Sequence, residues 1–368
     1  MSFRLPKYAD LTDQQRTVLN CSYGKNMVVS AAPGTGKTVI ALYRASDLVK
    51  GGKKILMLVY NNPLKQYLSS AVTSLGISAE VNTYFSWLWN LYNDRFDKKP
   101  PVYDENSWEY KWPEIKNDFK KIGIIYDCII IDEAQDFPIQ LIECLAMISK
   151  TVSCFMDPNQ TIFNSYTRVE DVNIALRVRT NYTLYDNFRN PKEIFEYAKL
   201  FNPDNTVAAV RSTGEKPYLI KCSKENELSK IVEIINMNYG LNYIGIFTDR
   251  DNQKRIFDYL SEKVENIDVY MYVSKDKEYK HLNFDKTGIY VLSFNCMKGL
   301  EFDAVIIPNC DRIQSRRDTQ IKKNIYYVAI TRASEKFYGL YESRIAKQGC
   351  IDIFTPLSGK ESLITWRE

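Results

Sequence analysis

Three apolar residues, Met27-Val28-Val29, run through Ser30 into Ala31-Ala32-Pro33-Gly34-Thr35-Gly36-Lys37-Thr38. An amphipathic helical pattern from Val39 to Val49 follows at once and stops at Gly51-Gly52. Strand, glycine loop and helix in this order leave few folds open, because the strand and the helix must pack on each other across a tight turn. Gly34 and Gly36 let the backbone turn its N–H groups inward at the start of the helix. Lys37 adds a charge for outer phosphates, and the Thr38 hydroxyl can join a Mg²⁺ shell. The loop is expected to cradle a triphosphate through Ala32, Pro33, Gly34, Thr35, Gly36, Lys37 and Thr38, with Ala31 standing where the motif usually starts on glycine.

The rest of the chain repeats this alternation. Short apolar runs at Lys54–Tyr60 and Cys128–Ile131 alternate with helical patterns at Pro63–Leu75, Thr83–Asn93 and Pro138–Ser149. A second series follows: runs at Tyr218–Lys221, Ile244–Phe247, Ile289–Phe294 and Ala304–Ile307, with helices at Glu225–Met237 and Asn252–Lys263. Such alternation predicts α/β architecture on parallel sheets. A length of 368 residues accommodates two domains, expected at 1–180 and 181–368 with the join near 178–186. The segment from Arg95 to Lys121, with Pro100-Pro101, Pro113, Trp108 and Trp112, breaks the rhythm and reads as an insertion.

Composition excludes several classes. No run of 18 apolar residues and no apolar leader core is present, so the chain is expected to be cytoplasmic and without a membrane partner. Eight scattered cysteines without a C-x-x-C pair, and a single histidine, His281, argue against structural zinc and against histidine-based catalysis. A net charge of +4 is mild. Five basic residues between Arg312 and Lys323 form either a phosphate-facing loop or a solvated surface.

A second phosphate-site element ends an apolar run, where Ile129-Ile130-Ile131 leads into Asp132-Glu133-Ala134-Gln135-Asp136. Two carboxylates at the C-terminal end of a parallel strand fall beside the glycine loop. Asp132 is placed to hold Mg²⁺ through water, and Glu133 to take a proton from an attacking water.

With both motifs in hand the chain resembles the UvrD/Rep-like helicases of superfamily 1, and the resemblance extends over most of its length. The D-E-A-Q-D string is typical of that family. Leu11-Thr12-Asp13-Gln14-Gln15 resembles its adenine-reading element, which implies that the Gln15 amide pairs with the base. Asp157-Pro158-Asn159-Gln160 resembles motif III and implies a γ-phosphate sensor at Gln160. Asn187-Phe188-Arg189-Asn190 resembles motif IV, with Phe188 stacking on adenine and Arg189 reaching the γ-phosphate. Lys298-Gly299-Leu300-Glu301-Phe302-Asp303 resembles motif V, with Gly299 near phosphate and Glu301 on the ribose. Tyr327 to Ala333 is similar to motif VI, which makes Arg332 a second arginine finger. The resemblance implies two tandem RecA-like domains with ATP and Mg²⁺ in the cleft between them.

The track for nucleic acid rests on Tyr60-Asn61-Asn62-Pro63, similar to motif Ia, and on Thr83-Tyr84-Phe85-Ser86-Trp87, similar to the T-F-H-S-F element. Tyr60, Asn61, Thr83, Tyr84 and Phe85 are its expected contacts, although Tyr84, Phe85, Trp87 and Trp89 also suit a core. Tyr166 is a substitute for a strand-stacking tryptophan, since Ser165 falls near that position. Val39, Met156, Asn295 and Cys296 depart from the usual residues of their motifs. The subdomains normally inserted into each motor domain are reduced here to about 89–125 and 261–287. The resemblance therefore implies an ATP-driven translocase on single-stranded DNA, 3′ to 5′, with RNA left open. The alternative is a nucleotide-gated subunit serving a partner such as a nuclease.

Overall fold

The structure is a computed structural model that describes residues 6–104, 109–160, 162, 167–202, 207–211, 213–273, 276, 278–279, 281–313, 319–345 and 350–367. Two parallel sheets organise it. The first is built from β1 (Met27–Ala31), β2 (Ile55–Val59), β3 (Glu80–Thr83), β4 (Tyr126–Ile131), β5 (Ser149–Met156) and β6 (Tyr182–Leu184), in the spatial order β3-β2-β4-β5-β1-β6. Every pairing in it is parallel. Its helices are α1 (Asp13–Leu19), α2 (Lys37–Lys50), α3 (Asn62–Ser74), α4 (Tyr84–Phe96), α5 (Trp112–Phe119), α6 (Ile139–Ile148) and α7 (Val169–Leu176).

Helices cover this sheet on both faces, which explains why its strands read as unbroken apolar runs. Alternate residues then serve opposite cores. Ile55, Met57 and Val59 of β2 join the core that includes Ile40 of α2 and Leu64 and Leu68 of α3. Leu56 and Leu58 join the core containing Leu88, Ile115, Phe119 and Leu141. Asn61 starts α3 by accepting the Leu64 N–H at 2.8 Å, with Pro63 in the first turn, and Thr83 caps α4 by accepting the Ser86 N–H at 3.3 Å.

After β6 come β7 (Asp186–Asn187), α8 (Lys192–Lys199) and β8 (Ala208–Ala209), with β7 and β8 paired to each other. The second sheet comprises β9 (Tyr218–Lys221), β10 (Tyr243–Thr248), β11 (Val269–Met271), β12 (Gly288–Ser293), β13 (Phe302–Ile307), β14 (Ala333–Tyr341) and β15 (Thr365–Arg367), with α9 (Glu227–Met237), α10 (Arg250–Lys263) and α11 (Thr319–Ile330). Its order is β11-β12-β10-β13-β14-β9-β15, again all parallel. The α/β fold on parallel sheets matches the expectation. Because β6 pairs with β1, the first sheet runs to Leu184 rather than ending at 180, while α8 packs on α11 and β14 of the second unit. No described helix is long and apolar enough to cross a membrane.

Both stretches read as remnants of inserted subdomains are part of the domains themselves. In the first, α5 lies on α6 and buries Ile115 and Phe119, at 0% and 1% exposure, in the first domain's core. In the second, β11 supplies an edge strand, and the chain then crosses to α3. There the Leu282 N–H donates to Gln66 Oε1 at 2.7 Å, Asp285 accepts a hydrogen bond from Ser70, and the Phe284 ring meets Tyr67 edge-on at 5.8 Å. If α5 is integral to the core, Phe119→Ala should destabilise the protein by about 3–5 kcal/mol in denaturant titration. A loss near zero would mark α5 as an independent appendage.

Candidate active site

The order of the first sheet sets β5 between β1 and β4, so the loops leaving three adjacent C-terminal strand ends meet. They are the glycine loop after Ala31, Asp132-Glu133 after Ile131, and Asp157 to Gln160 after Met156. The second sheet faces them with the opposite edge. Phe302 at the start of β13 pairs with Ala333 at the start of β14, which sets Glu301 and Arg332 side by side.

Inside the loop, Lys37 Nζ donates to the carbonyls of Ala31 at 2.7 Å and Ala32 at 3.0 Å and stands 3.6 Å from Asp157 Oδ2. Gly36 has φ +90°, and a Cβ there would lie 2.6 Å from Gln15 Nε2. That close approach has a purpose: Gln15 Nε2 donates to the Thr35 carbonyl at 3.0 Å, while Gln15 Oε1 accepts the Thr12 N–H at 3.0 Å in a capping box. The Gln15 amide, expected on a base edge, thus also braces the loop. Gly34, at φ +71°, sits against the Asn187 side chain and its carbonyl accepts the Phe188 N–H at 2.9 Å, which ties the loop to the Asn187–Asn190 segment.

Thr38 Oγ1 donates to Asp132 Oδ2 at 2.8 Å. Burial and the neighbouring Glu133 charge push the Asp132 carboxyl up from its ordinary range. Burial also opposes the charge on Glu133, but Lys37, Lys298 and Arg332, with a hydrogen bond from Gln135, outweigh it and hold Glu133 low. Gln160 is fully buried, and its Nε2 has no hydrogen-bond partner among the described residues. A buried amide donor left in this way is costly unless a ligand accepts from it.

From the second sheet's edge, Arg332 Nη2 donates to Gln160 Oε1 at 2.7 Å, and its other nitrogens donate to the Leu300 and Val328 carbonyls at 3.2 Å. Burial, with Arg189 nearby, lowers the Arg332 guanidinium to about 10, so it remains a cation at neutral pH. Arg189 Nε donates to Glu301 Oε2 at 2.7 Å, so the carboxylate expected on a ribose is paired with that arginine. A cavity of about 340 Å³ joins both edges and is lined by Lys37, Thr38, Glu133, Gln160, Arg189 and Arg332. Gln15, Pro33, Gly34, Gly36, Val39, Phe188, Gly299 and Glu301 complete most of its wall, whereas Ala32 and Thr35 do not line it, the Thr35 hydroxyl donating to the Ala32 carbonyl at 2.9 Å. Its size is within the range of small-ligand sites, roughly 300–1,000 Å³.

Residues 14–165 match the AAA domain family, and residues 288–338 match the UvrD-like helicase C-terminal domain. Together the two matches support a UvrD-like helicase. The S. cerevisiae protein Dbp5, solved with RNA and ADP BeF3, is 12% identical with a TM-score of 0.58, covering 98% of this helicase-family chain and 90% of its own; that likeness supports two tandem RecA-like domains. The C-terminal domain of a possible DNA helicase from Lactobacillus plantarum WCFS1 is 18% identical over 49% of this chain and 99% of its own, with a TM-score of 0.37. No curated protein matches.

The UvrD-like chain places its expected strand contacts on the same sheet edge, because Val59 of β2 is in register with Thr83 of β3. They are not equivalent there. Tyr84 is 5% exposed and packs against Phe137 at 5.1 Å, and Thr83 is a buried helix cap; both are core residues in this structure. Burial of this kind removes a ring from base stacking. Asn61 is also spent as a cap, while Tyr60 and Phe85, 6.1 Å apart, stay half-buried at the edge. Tyr166 and Ser165 lie outside the described residues, as do Arg316, Arg317 and Asp318 of the basic stretch.

Sequence reasoning missed three cavity-lining residues, Pro6, Asp10 and Tyr67. Only Tyr67 left a trace, as a ring on the buried stripe of α3 with Leu64, Leu68 and Ala71. Gly36→Ala should cost roughly 1–3 kcal/mol through left-handed backbone strain and displacement of Gln15. Chemical denaturation checks this, and a change below about 0.5 kcal/mol, the scatter of neutral surface changes, would contradict the brace.

Proposed function

We propose that this chain hydrolyses ATP in the interdomain cavity and uses closure of the cleft to move along single-stranded DNA, 3′ to 5′. The observation that carries the reading is the composition of the cavity wall: Lys37 and Glu133 come from the first domain, Arg189 and Arg332 from the second. Cations delivered by a second domain complete such a site only when the cleft is shut, which is how hydrolysis becomes coupled to movement.

The residues present fit a nucleotide with its metal. The buried Gln160 Nε2 lacks an acceptor among the described residues, and Gly34 and Gly36, both at left-handed φ, put no Cβ at those two positions of the loop. Thr38 and Asp132 would hold Mg²⁺, which when bound neutralises phosphate charge. Lys37, Gly34, Thr35 and Gly36, with Ala32 and Pro33 shaping the turn, would hold the phosphates. Gln15 and Phe188 would take the base, and Gly299 and Glu301 the sugar side. Glu133, held ionised by three cations, accepts the proton of the attacking water. Gln160 orients that water's target, while Arg189 and Arg332 stabilise charge that develops there. Tyr60 and Phe85 are the rings placed to stack on bases.

Arginine fingers contribute about 10³–10⁵ in rate, so Arg332→Ala should cut turnover by at least about 10³-fold. Lys37→Ala should abolish turnover while circular dichroism remains that of the parent. Undiminished turnover in either variant would refute the site.

Substrate choice is read by steady-state turnover with single-stranded DNA, single-stranded RNA, duplex and no nucleic acid, over a salt series. Single-stranded DNA should stimulate most, with an effect that falls as salt rises because phosphate contacts release counterions. Indifference to every nucleic acid would leave the nucleotide-gated subunit, responsive to a protein partner such as a nuclease, as the better reading.

A further inference from the structure

Lys298 of the second domain carries a full set of acceptors from the first. Its Nζ donates to Asp136 Oδ1 at 2.8 Å, to Asp136 Oδ2 at 2.6 Å and to the Gln160 backbone carbonyl at 2.7 Å. Both side chains of the ion pair are 1% exposed. A buried ammonium or carboxylate separated from its partner costs several kcal/mol, so the pair either stays joined or the domains part far enough for water to enter both halves. The contact is therefore two-state in character.

What lies on either side of it gives the contact its significance. Gln160 presents its carbonyl to Lys298 and its side-chain Oε1 to Arg332, so Lys298 fixes the backbone of the residue that receives the arginine. Asp136 closes the turn that begins at Glu133, its N–H donating to the Glu133 carbonyl at 3.0 Å. The next residue, Phe137, packs on Tyr84, which meets Tyr60 at 5.9 Å and Phe85 at 3.8 Å. A continuous row of contacts thus joins the half-buried rings at the sheet edge to Gln160, leaving the first domain at the Lys298–Asp136 pair and returning to it at the Gln160 carbonyl.

We propose that Lys298 and Asp136 are positioning residues that transmit occupancy of the Tyr60–Phe85 edge to Gln160 and Arg332, so that a bound strand raises turnover. Neither residue lines the cavity. The inference rests on the reading of the chain as a strand-stimulated ATPase, and deepens it by naming the coupling.

The test measures turnover with and without single-stranded DNA, alongside affinity for a fluorescent ATP analogue, in the parent, Lys298→Met and the double variant Asp136→Leu/Lys298→Met. The double variant removes both buried charges at once, which spares stability. Both variants should bind the analogue within about threefold of the parent and lose about tenfold of the stimulation, the size of an ordinary coupling between sites. Parent-like stimulation in the double variant would overturn the relay and leave the ATPase reading standing. Loss of analogue binding in step with turnover would reduce the pair to a structural tie and overturn it as well. A parent whose turnover ignores single-stranded DNA would overturn both readings together.

Discussion

Two cations of the second domain, Arg332 and Lys298, are buried against acceptors of the first, and the rest of the architecture follows from satisfying them. A buried guanidinium or ammonium is tolerated only with its donors occupied. Gln160 answers both, through Oε1 and through its carbonyl, and Asp136 supplies the countercharge. That demand explains why loops from three adjacent strands of one sheet converge opposite the starts of β13 and β14. It also explains why Glu133 stays ionised inside a fully buried turn, since three cations surround it.

The same seam gives α3 an unexpected part. Gly299, at φ +77°, has no room for a Cβ because Leu64 of α3 lies 2.6 Å from where it would stand, and Tyr67 of the same helix lines the cavity while touching Phe284. Together with Gln66 and Ser70, these residues make α3 a rail on which the second domain rests. Residues 282–285, read from sequence as part of a shortened insertion, provide much of that contact.

Much of this was legible in the chain. Apolar runs such as Ile55–Val59 and Ile129–Ile131 identified central strands because both sheet faces are covered, and the glycine loop and D-E-A-Q-D string located two of the three converging strand ends. Edge strands escaped: Glu80–Thr83 is polar and Thr365–Arg367 is only three residues long, so neither carries a core signature. The rings of Thr83-Tyr84-Phe85 could not be divided into core and surface from sequence, since helical spacing alone does not say which side of α4 the sheet occupies. Partners 162 residues apart, such as Asp136 and Lys298, leave no local pattern at all.

The proposed function requires one catalytic site assembled from both domains. A crystal structure of the chain with ADP, Mg²⁺ and a fluoride mimic of the γ-phosphate tests it most directly. Lys37, Gln160, Arg189 and Arg332 should all stand within hydrogen-bond distance of the mimic. A nucleotide held by first-domain residues alone, with Arg189 and Arg332 still on Glu301 and Gln160, would contradict it.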